Sequence, residues 1–155
     1  MTKDLLSKSN KLPAYIFDID GTLADGSHRL HHIQKTPKDW EAYLLATPED
    51  KVIEDVKEIL NILLPIDDII LCSGRSEVVR TETENWLAKH SIDYHALFMR
   101  KARDHRPDYM IKEQIYWRDI EPNWTIKGVF DDRNQVVSMW RRLGLRCYQV
   151  APGNF

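Results

Sequence analysis

The sequence predicts a three-layer α/β domain, with a five-stranded, mainly parallel sheet between helices. Short apolar runs recur at 14–18, 68–72, 94–99, 125–130 and 145–150. Stretches of helical spacing lie between them, and the most telling polar residues stand where the runs end. Alternating strands and helices imply right-handed crossovers and parallel pairing. The 155 residues are 43% apolar and carry a formal net charge of −2. That is enough chain for one core and too acidic a balance for a protein that coats nucleic acid. Residues 1–12 are expected to form an N-terminal tail and 13–155 a single domain. Met1 to Asn10 has no apolar core of signal-peptide type, and no run approaches membrane-spanning length. A cytoplasmic protein with no membrane partner is expected, with Cys72 and Cys147 as reduced core thiols.

In chain order, residues 14–18 read as a buried strand that ends on Asp18-Ile19-Asp20-Gly21-Thr22. Residues at about 24–47 read as a small helical flap holding His28, Arg29, His31 and His32, with Pro37 opening a helix to about Ala46. Thr47-Pro48-Glu49-Asp50 has the form of a helix start, with a Thr cap, Pro at the first position and acids in the first turn. Val52, Val56, Ile59, Leu60 and Leu63 then keep helical spacing until Pro65. After the 68–72 strand, Ser76 caps a helix to about His90 with Val79, Trp86 and Leu87 inward. After the 94–99 strand, Pro107 opens a helix with Met110, Ile111, Ile115 and Trp117 on its apolar face. After the 125–130 strand, Asn134 to Leu143 is a helix that stops at Gly144. Trp40, Trp86, Trp117 and Trp140 are expected in the core, and Trp124 is expected to pack rather than stack a base.

The candidate site follows from this layout. In open α/β sheets ligands bind at the carboxyl ends of the strands. There stand Asp18 and Asp20, then Ser73-Gly74-Arg75, then Asp131-Asp132. Paired acids, with pKa near ~3.9 when unperturbed, repel one another in a dry site. A hard cation that takes oxygen ligands, most simply Mg²⁺, relieves that repulsion.

This order of motifs resembles the haloacid dehalogenase (HAD) superfamily of phosphotransferases, from about Tyr15 to Phe155. Arg29, Ser73-Gly74-Arg75, Lys112 within Ile-Lys-Glu-Gln-Ile-Tyr-Trp, and the run from Asp131 to Gly144 narrow the likeness. They look like the 3′-phosphatase branch found in bacteriophage polynucleotide kinase. The resemblance implies a Rossmann-like fold without a large cap domain. It also implies a Mg²⁺-dependent phosphomonoesterase acting on 3′-phosphorylated DNA or RNA ends. Asp18 would be the nucleophile and Asp20 the general acid and base, with Lys112 a cation on the reacting group. Ser73, Gly74, Arg75 and Arg29 would bind the phosphate or substrate. Asp18, Asp20 through its backbone carbonyl, Asp131 and Asp132 would hold the metal, one of the last two directly and the other through water or Lys112.

None of the six glycines begins a Gly-Lys-Ser/Thr sequence, so no kinase-type phosphate loop is present. A separate kinase or ligase is the partner this pattern implies. The basic stretch Arg100 to Arg106 reads either as a nucleic-acid backbone track or as a solvated loop. His28, His31 and His32 read as a substrate-facing flap rather than a zinc site. Two rival functions stay open: a small-molecule (mononucleotide) phosphatase, and a non-catalytic end-binding partner of a kinase or ligase.

Overall fold

The computed structural model describes residues 10–155. The tail expected over 1–12 lies mostly outside them. Within them, the chain forms β1 (Leu12–Phe17), β2 (Ala24–Asp25), α1 (His31–Gln34), α2 (Trp40–Leu45), β3 (Lys51–Val52) and α3 (Glu54–Leu63). It continues with β4 (Asp68–Ser76), α4 (Arg80–Lys89), β5 (Ala96–Arg100), α5 (Asp108–Ile115), β6 (Trp124–Asp131), α6 (Asn134–Arg142) and β7 (Cys147–Gln149). The five-stranded sheet has the order β5-β4-β1-β6-β7, and every pair is parallel. The three-layer expectation therefore holds.

The sheet separates two apolar layers. Phe17, Ile69 and Leu71 face Val56, Leu60, Trp86 and Leu87 on one side. Ile16, Ile70 and Val129 face Ile111, Ile115, Val136 and Trp140 on the other. Alternate strand residues thus feed opposite cores, as the two-residue repeat of a strand requires. From β1 the chain builds outward through β4 and β5, then returns to the other side of β1 for β6 and β7. The sheet reverses its direction of growth at β1, and such a reversal leaves a crevice at the carboxyl ends of its strands.

The 24–47 region contains short helices bracketed by an antiparallel β2–β3 pair, and no large cap is present among the described residues. Several local expectations change. Pro37 does not open a helix: α2 begins at Trp40, capped by Asp39, whose carboxylate accepts the Ala42 N–H at 3.0 Å. Thr47–Glu49 makes only one 3₁₀ turn, and the long helix begins at Glu54. Thr47 caps nothing, since its buried hydroxyl has no partner. Asp50 is extended instead, because tertiary ion pairs hold it. Ser76 caps a 3₁₀ turn, Glu77–Val79, which leads into α4.

Trp86 and Trp140 are buried, while Trp40 and Trp117 are each 54% exposed. Trp117 leaves the core because α5 continues as a wide π turn over Tyr116–Ile120, which rotates the apolar stripe out of helical register. Trp124 packs edge-on against Phe98 and donates to Asp68 Oδ2 at 2.9 Å. Both cysteines are free and buried. Burial pushes each thiol up to about 12, the environment of a structural rather than a reactive cysteine. No described helix is long and apolar enough to cross a membrane.

Candidate active site

β1 delivers Asp18 to the carboxyl edge of the sheet, where its N–H donates to Phe130 O of β6 at 3.0 Å. The chain then tightens: Leu23 and Ala24 N–H both donate to Ile19 O at 2.9 Å. Gly21 takes φ +78° in this turn, a conformation that favours glycine. A Cβ on Gly21 would overlap Asp132 Oδ2, so the same residue lets the β6 acid approach the first loop. β6 delivers Asp131 and Asp132 from the adjacent strand.

Asp18, Asp131 and Asp132 are all buried and present oxygens within 4.8 Å of one another. Lys112 reaches them from α5 and is 2% exposed. Its ammonium donates to Asp18 Oδ1 and to Asp131 Oδ2, each at 2.8 Å. Three carboxylates against one ammonium leave a formal excess of two negative charges. Burial pushes the Asp18 carboxyl well above its ordinary value; Lys112 opposes this, and Asp131 and Asp132 add to it. Burial and then Asp131 push Asp132 up to about 6. Burial disfavours the Lys112 ammonium, yet Asp131 and Asp18 outweigh it and raise its pKa well above the usual range. A small divalent cation fits this donor set: the oxygens are hard, convergent and short of two positive charges.

The two β6 acids have different partners. Asp131 Oδ2 accepts from Lys112 and from Trp140 Nε1 at 3.2 Å, while Oδ1 accepts the Asp132 N–H at 2.9 Å. Its carboxylate is locked by the protein. Asp132 lies against Gly21 and faces Asp18.

Asp20 belongs to a second cluster. Its carboxylate is not among the clustered oxygens of the acidic triad; it is 35% exposed and held by two arginines. Arg29 Nη2 donates to Asp20 Oδ1 at 2.6 Å, and Arg75 donates through Nε at 3.1 Å and Nη2 at 2.8 Å. Burial alone would raise the Asp20 carboxyl, but Arg75 and then Arg29 overcome it and leave its pKa lowered. Arg75 reaches inward because β4 and β5 slip register between Ser73 and Ser76, a bulge that re-aims the residues it leaves unpaired.

Neither arginine faces open solvent: Arg29 is 0% and Arg75 3% exposed. The sequence reading sets both arginines toward the substrate; in the structure their donors go to Asp20 and Asp50. Arg29 donates to Asp50 through Nε at 2.8 Å and Nη2 at 2.9 Å, and Arg75 Nη2 donates to Asp50 Oδ2 at 2.7 Å. Asp50, read from sequence as a helix-start acid, is thus a buried partner of both.

Ser73 is fully buried beside this bulge, and its Oγ accepts the Arg75 N–H at 3.1 Å. Gly74 lies where a Cβ would press on the Asp108 carboxylate. Asp108 pairs with Arg100 and with Arg133 Nη1, the latter at 2.8 Å. Sequence reasoning did not single out Asp108. The available signal was its position four residues before Lys112, which puts both on one face of α5.

Arg100 is turned inward to Gly74 O, and Arg106 pairs with Asp104 and Gln114. Within the basic stretch, Lys101, Arg103, His105 and Arg106 are exposed. In the flap, His28 Nε2 bonds Asp50 Oδ1 at 2.8 Å, and the His31 and His32 rings lie 3.9 Å apart. Among the described residues, the only metal-suited cluster is the acidic triad.

A buried carboxylate bonded to a buried lysine, with an acidic pair at the end of the next parallel strand and a serine on the other, defines a HAD-type phosphatase, a phosphoric monoester hydrolase. More narrowly, the chain belongs to the family of polynucleotide kinase PNKP phosphatase domains, whose pattern matches residues 12–155. A protein of Autographa californica nuclear polyhedrosis virus, assigned as a bifunctional polynucleotide kinase/RNA ligase, is 34% identical over 137 residues. The match takes in 86% of this chain and 19% of that protein. A chain in the structure of the Pnkp1/Rnl/Hen1 RNA repair complex is 34% identical with a TM-score of 0.81, covering 95% of this chain and 45% of that one. A second Pnkp1/Rnl/Hen1 structure gives 33% identity and a TM-score of 0.82, covering 100% of this chain and 53% of that one. The chain spans about half the length of these solved relatives and about a fifth of the viral one.

Proposed function

We propose that this phosphatase removes 3′-phosphates from nucleic-acid ends, in an RNA repair setting like the one its relatives' descriptions name. The carrying observation is the family match over 12–155, joined to a site with no large cap above it. An uncapped crevice admits the end of a polymer as readily as a small ester. A kinase or ligase is the partner to expect, since those activities are joined to the matching segment in the viral relative.

In the proposed reaction a carboxylate oxygen of Asp18 attacks phosphorus, and the bond to the 3′-oxygen breaks. The leaving oxygen takes the bonding pair and a proton from the Asp20 carboxyl, which has to take up that proton against the pull of Arg75 and Arg29 as the anionic substrate arrives. A phosphoaspartate forms on Asp18. Asp20, now a carboxylate, then takes a proton from the water that hydrolyses it, a role worth ~10²–10⁴-fold in comparable acid–base catalysis. The Ser73 hydroxyl and the Gly74 N–H hold phosphoryl oxygens. Lys112, bonded to Asp18 Oδ1, favours its ionised form against the effect of burial and offsets charge on the transferring group. Asp18 and Asp132, with the Asp20 carbonyl, would hold Mg²⁺, while Asp131 orients Lys112. Bound there, the ion would supply the two missing positive charges and shield Asp18 from the anionic substrate.

Phosphate release with Mg²⁺ tests this reading on 3′-phosphorylated DNA and RNA oligomers, 5′-phosphorylated oligomers, and 3′- and 5′-mononucleotides. Preference for 3′-phosphorylated oligomers is the expected result. Equal or better turnover of mononucleotides would replace the polymer end with a small-molecule substrate.

A further inference from the structure

We infer that the loop between β5 and α5, through Lys101, Arg103 and His105, holds the sugar-phosphate backbone of the strand whose 3′ end enters the site. The inference rests on the polymer-end substrate proposed above. The loop leaves β5 after Arg100 and enters α5 at Asp108. Both of its ends touch the reacting centre. Arg100 Nε donates to Gly74 O at 2.8 Å, beside the proposed phosphoryl site. Lys112, one turn along α5 from Asp108, donates to Asp18. The loop is therefore the surface next to the phosphoryl site on the β4–β5 side of the crevice.

Two of its basic residues are braces. Arg100 Nη1 donates to Asp104 O at 2.9 Å and to Arg106 O at 2.6 Å, and its Nη2 pairs with Asp108. Arg106 Nη2 closes on Asp104 at 2.7 Å. The loop is thus held in one shape from within. Lys101, Arg103 and His105 are exposed and enter none of these bonds. Arg103 takes φ +63°, a left-handed conformation that is uncommon for a residue with a side chain. Such conformations persist where the surroundings impose them, and they gather at ligand clamps.

The free cations are a local feature. Other exposed arginines lie on carboxylates: Arg80 on Glu84, Arg118 on Asp119 and Arg142 on Glu113. The whole chain carries a formal charge of −2, so this loop is not a sample of a basic surface. Two cations and a ring donor on a braced loop suit successive phosphates of one strand. Such contacts fix the register of a strand without reading its sequence.

Salt dependence supplies the test. kcat/KM would be measured at fixed Mg²⁺ and rising KCl on a 3′-phosphorylated oligomer and on the matching 3′-mononucleotide. The ratio of the two isolates the upstream backbone and cancels any loss of folded enzyme. Each phosphate contact on a single strand contributes about −0.7 to the slope of log affinity against log salt. Lys101→Gln combined with Arg103→Gln should make the slope of the ratio shallower by about 1.4, and lower the ratio about tenfold or more at ~0.05 M KCl. On an oligomer with neutral methylphosphonate linkages, parent and double variant should give the same ratio. Arg118→Gln combined with Arg142→Gln removes the same formal charge elsewhere and should keep the parent's slope. A Lys101 and Arg103 variant with the parent's slope and ratio, in a parent that prefers the oligomer, would overturn the backbone contact and leave the substrate reading intact. So would an equal change in the Arg118 and Arg142 variant, or a difference that survives on neutral linkages. A parent that turns over the mononucleotide as well as the oligomer would remove the substrate reading, and the backbone contact with it.

Discussion

Replacing Lys112 with Met removes the single ammonium from the acidic triad while keeping the length of the side chain. Lys112 is 3% exposed at its side chain, and the two carboxylates it joins are 7% and 2% exposed. Breaking a buried ion pair from one side costs about 3–5 kcal/mol, because the remaining charges are left uncompensated. For a domain of about 150–250 residues, 1 kcal/mol moves Tm by about 2–4 °C. The metal-free variant should therefore melt about 6–20 °C below the parent. Mg²⁺ at 100 times its Kd returns about 2.7 kcal/mol through binding to the folded state, so it should recover a large part of the deficit. Turnover should not recover. A preset charge on a transferring group is worth roughly 10²–10³ in kcat, and that loss should appear on every phosphomonoester. Differential scanning fluorimetry with and without Mg²⁺, together with steady-state phosphate release, reads both quantities. A variant that melts with the parent and keeps kcat within about tenfold would refute the account, because Lys112 would then be neither a buried counter-charge nor part of the chemistry.

Asp18→Asn should abolish phosphate release yet leave the metal-free protein at least as stable as the parent, since it removes one of the excess negative charges; a melting curve and an activity assay on the same sample check both. The metal-free parent should lose stability as pH rises from ~4 to about 6, because Asp132 is raised in the folded state and its proton-linked stability disappears through that window. Saturating Mg²⁺ should flatten that slope by displacing the proton, and identical slopes with and without the ion would exclude metal binding at the triad. Chelator should stop turnover and Mg²⁺ restore it, with Ca²⁺ a poor substitute because its larger, looser coordination misplaces the reacting oxygens.

The sheet and both ends of the acidic triad were legible because they depend on local pattern. Apolar runs of strand length ending in Asp18 and in Asp131-Asp132 say where the chain emerges from the core and what it carries there. Lys112 needed the resemblance as well, since a helical lysine is usually solvated. Asp50 was misread because Thr-Pro-Glu-Asp is a strong local helix start, and only the long-range partners Arg29 and Arg75 overrule it. The same partners hid the state of the arginines: the sequence marks their charge but not the two carboxylates that consume their donors. Trp117 was missed for another reason. A single wide turn shifts the helical phase, and a periodicity argument assumes constant phase.

The order of the strands divides the active site between two stretches of the chain. Asp18, Asp20, Asp50, Ser73 and Arg75 lie before the exposed loop at Lys101 to Arg106, and Lys112, Asp131 and Asp132 lie after it. The first segment carries Asp18 without its ammonium, and the second carries the ammonium of Lys112 without that carboxylate. Neither holds the charge arrangement of the whole, so the ion pair between Asp18 and Lys112 is a seam between two halves. A molecule nicked in that loop could report, by its turnover alone, whether the halves remain joined.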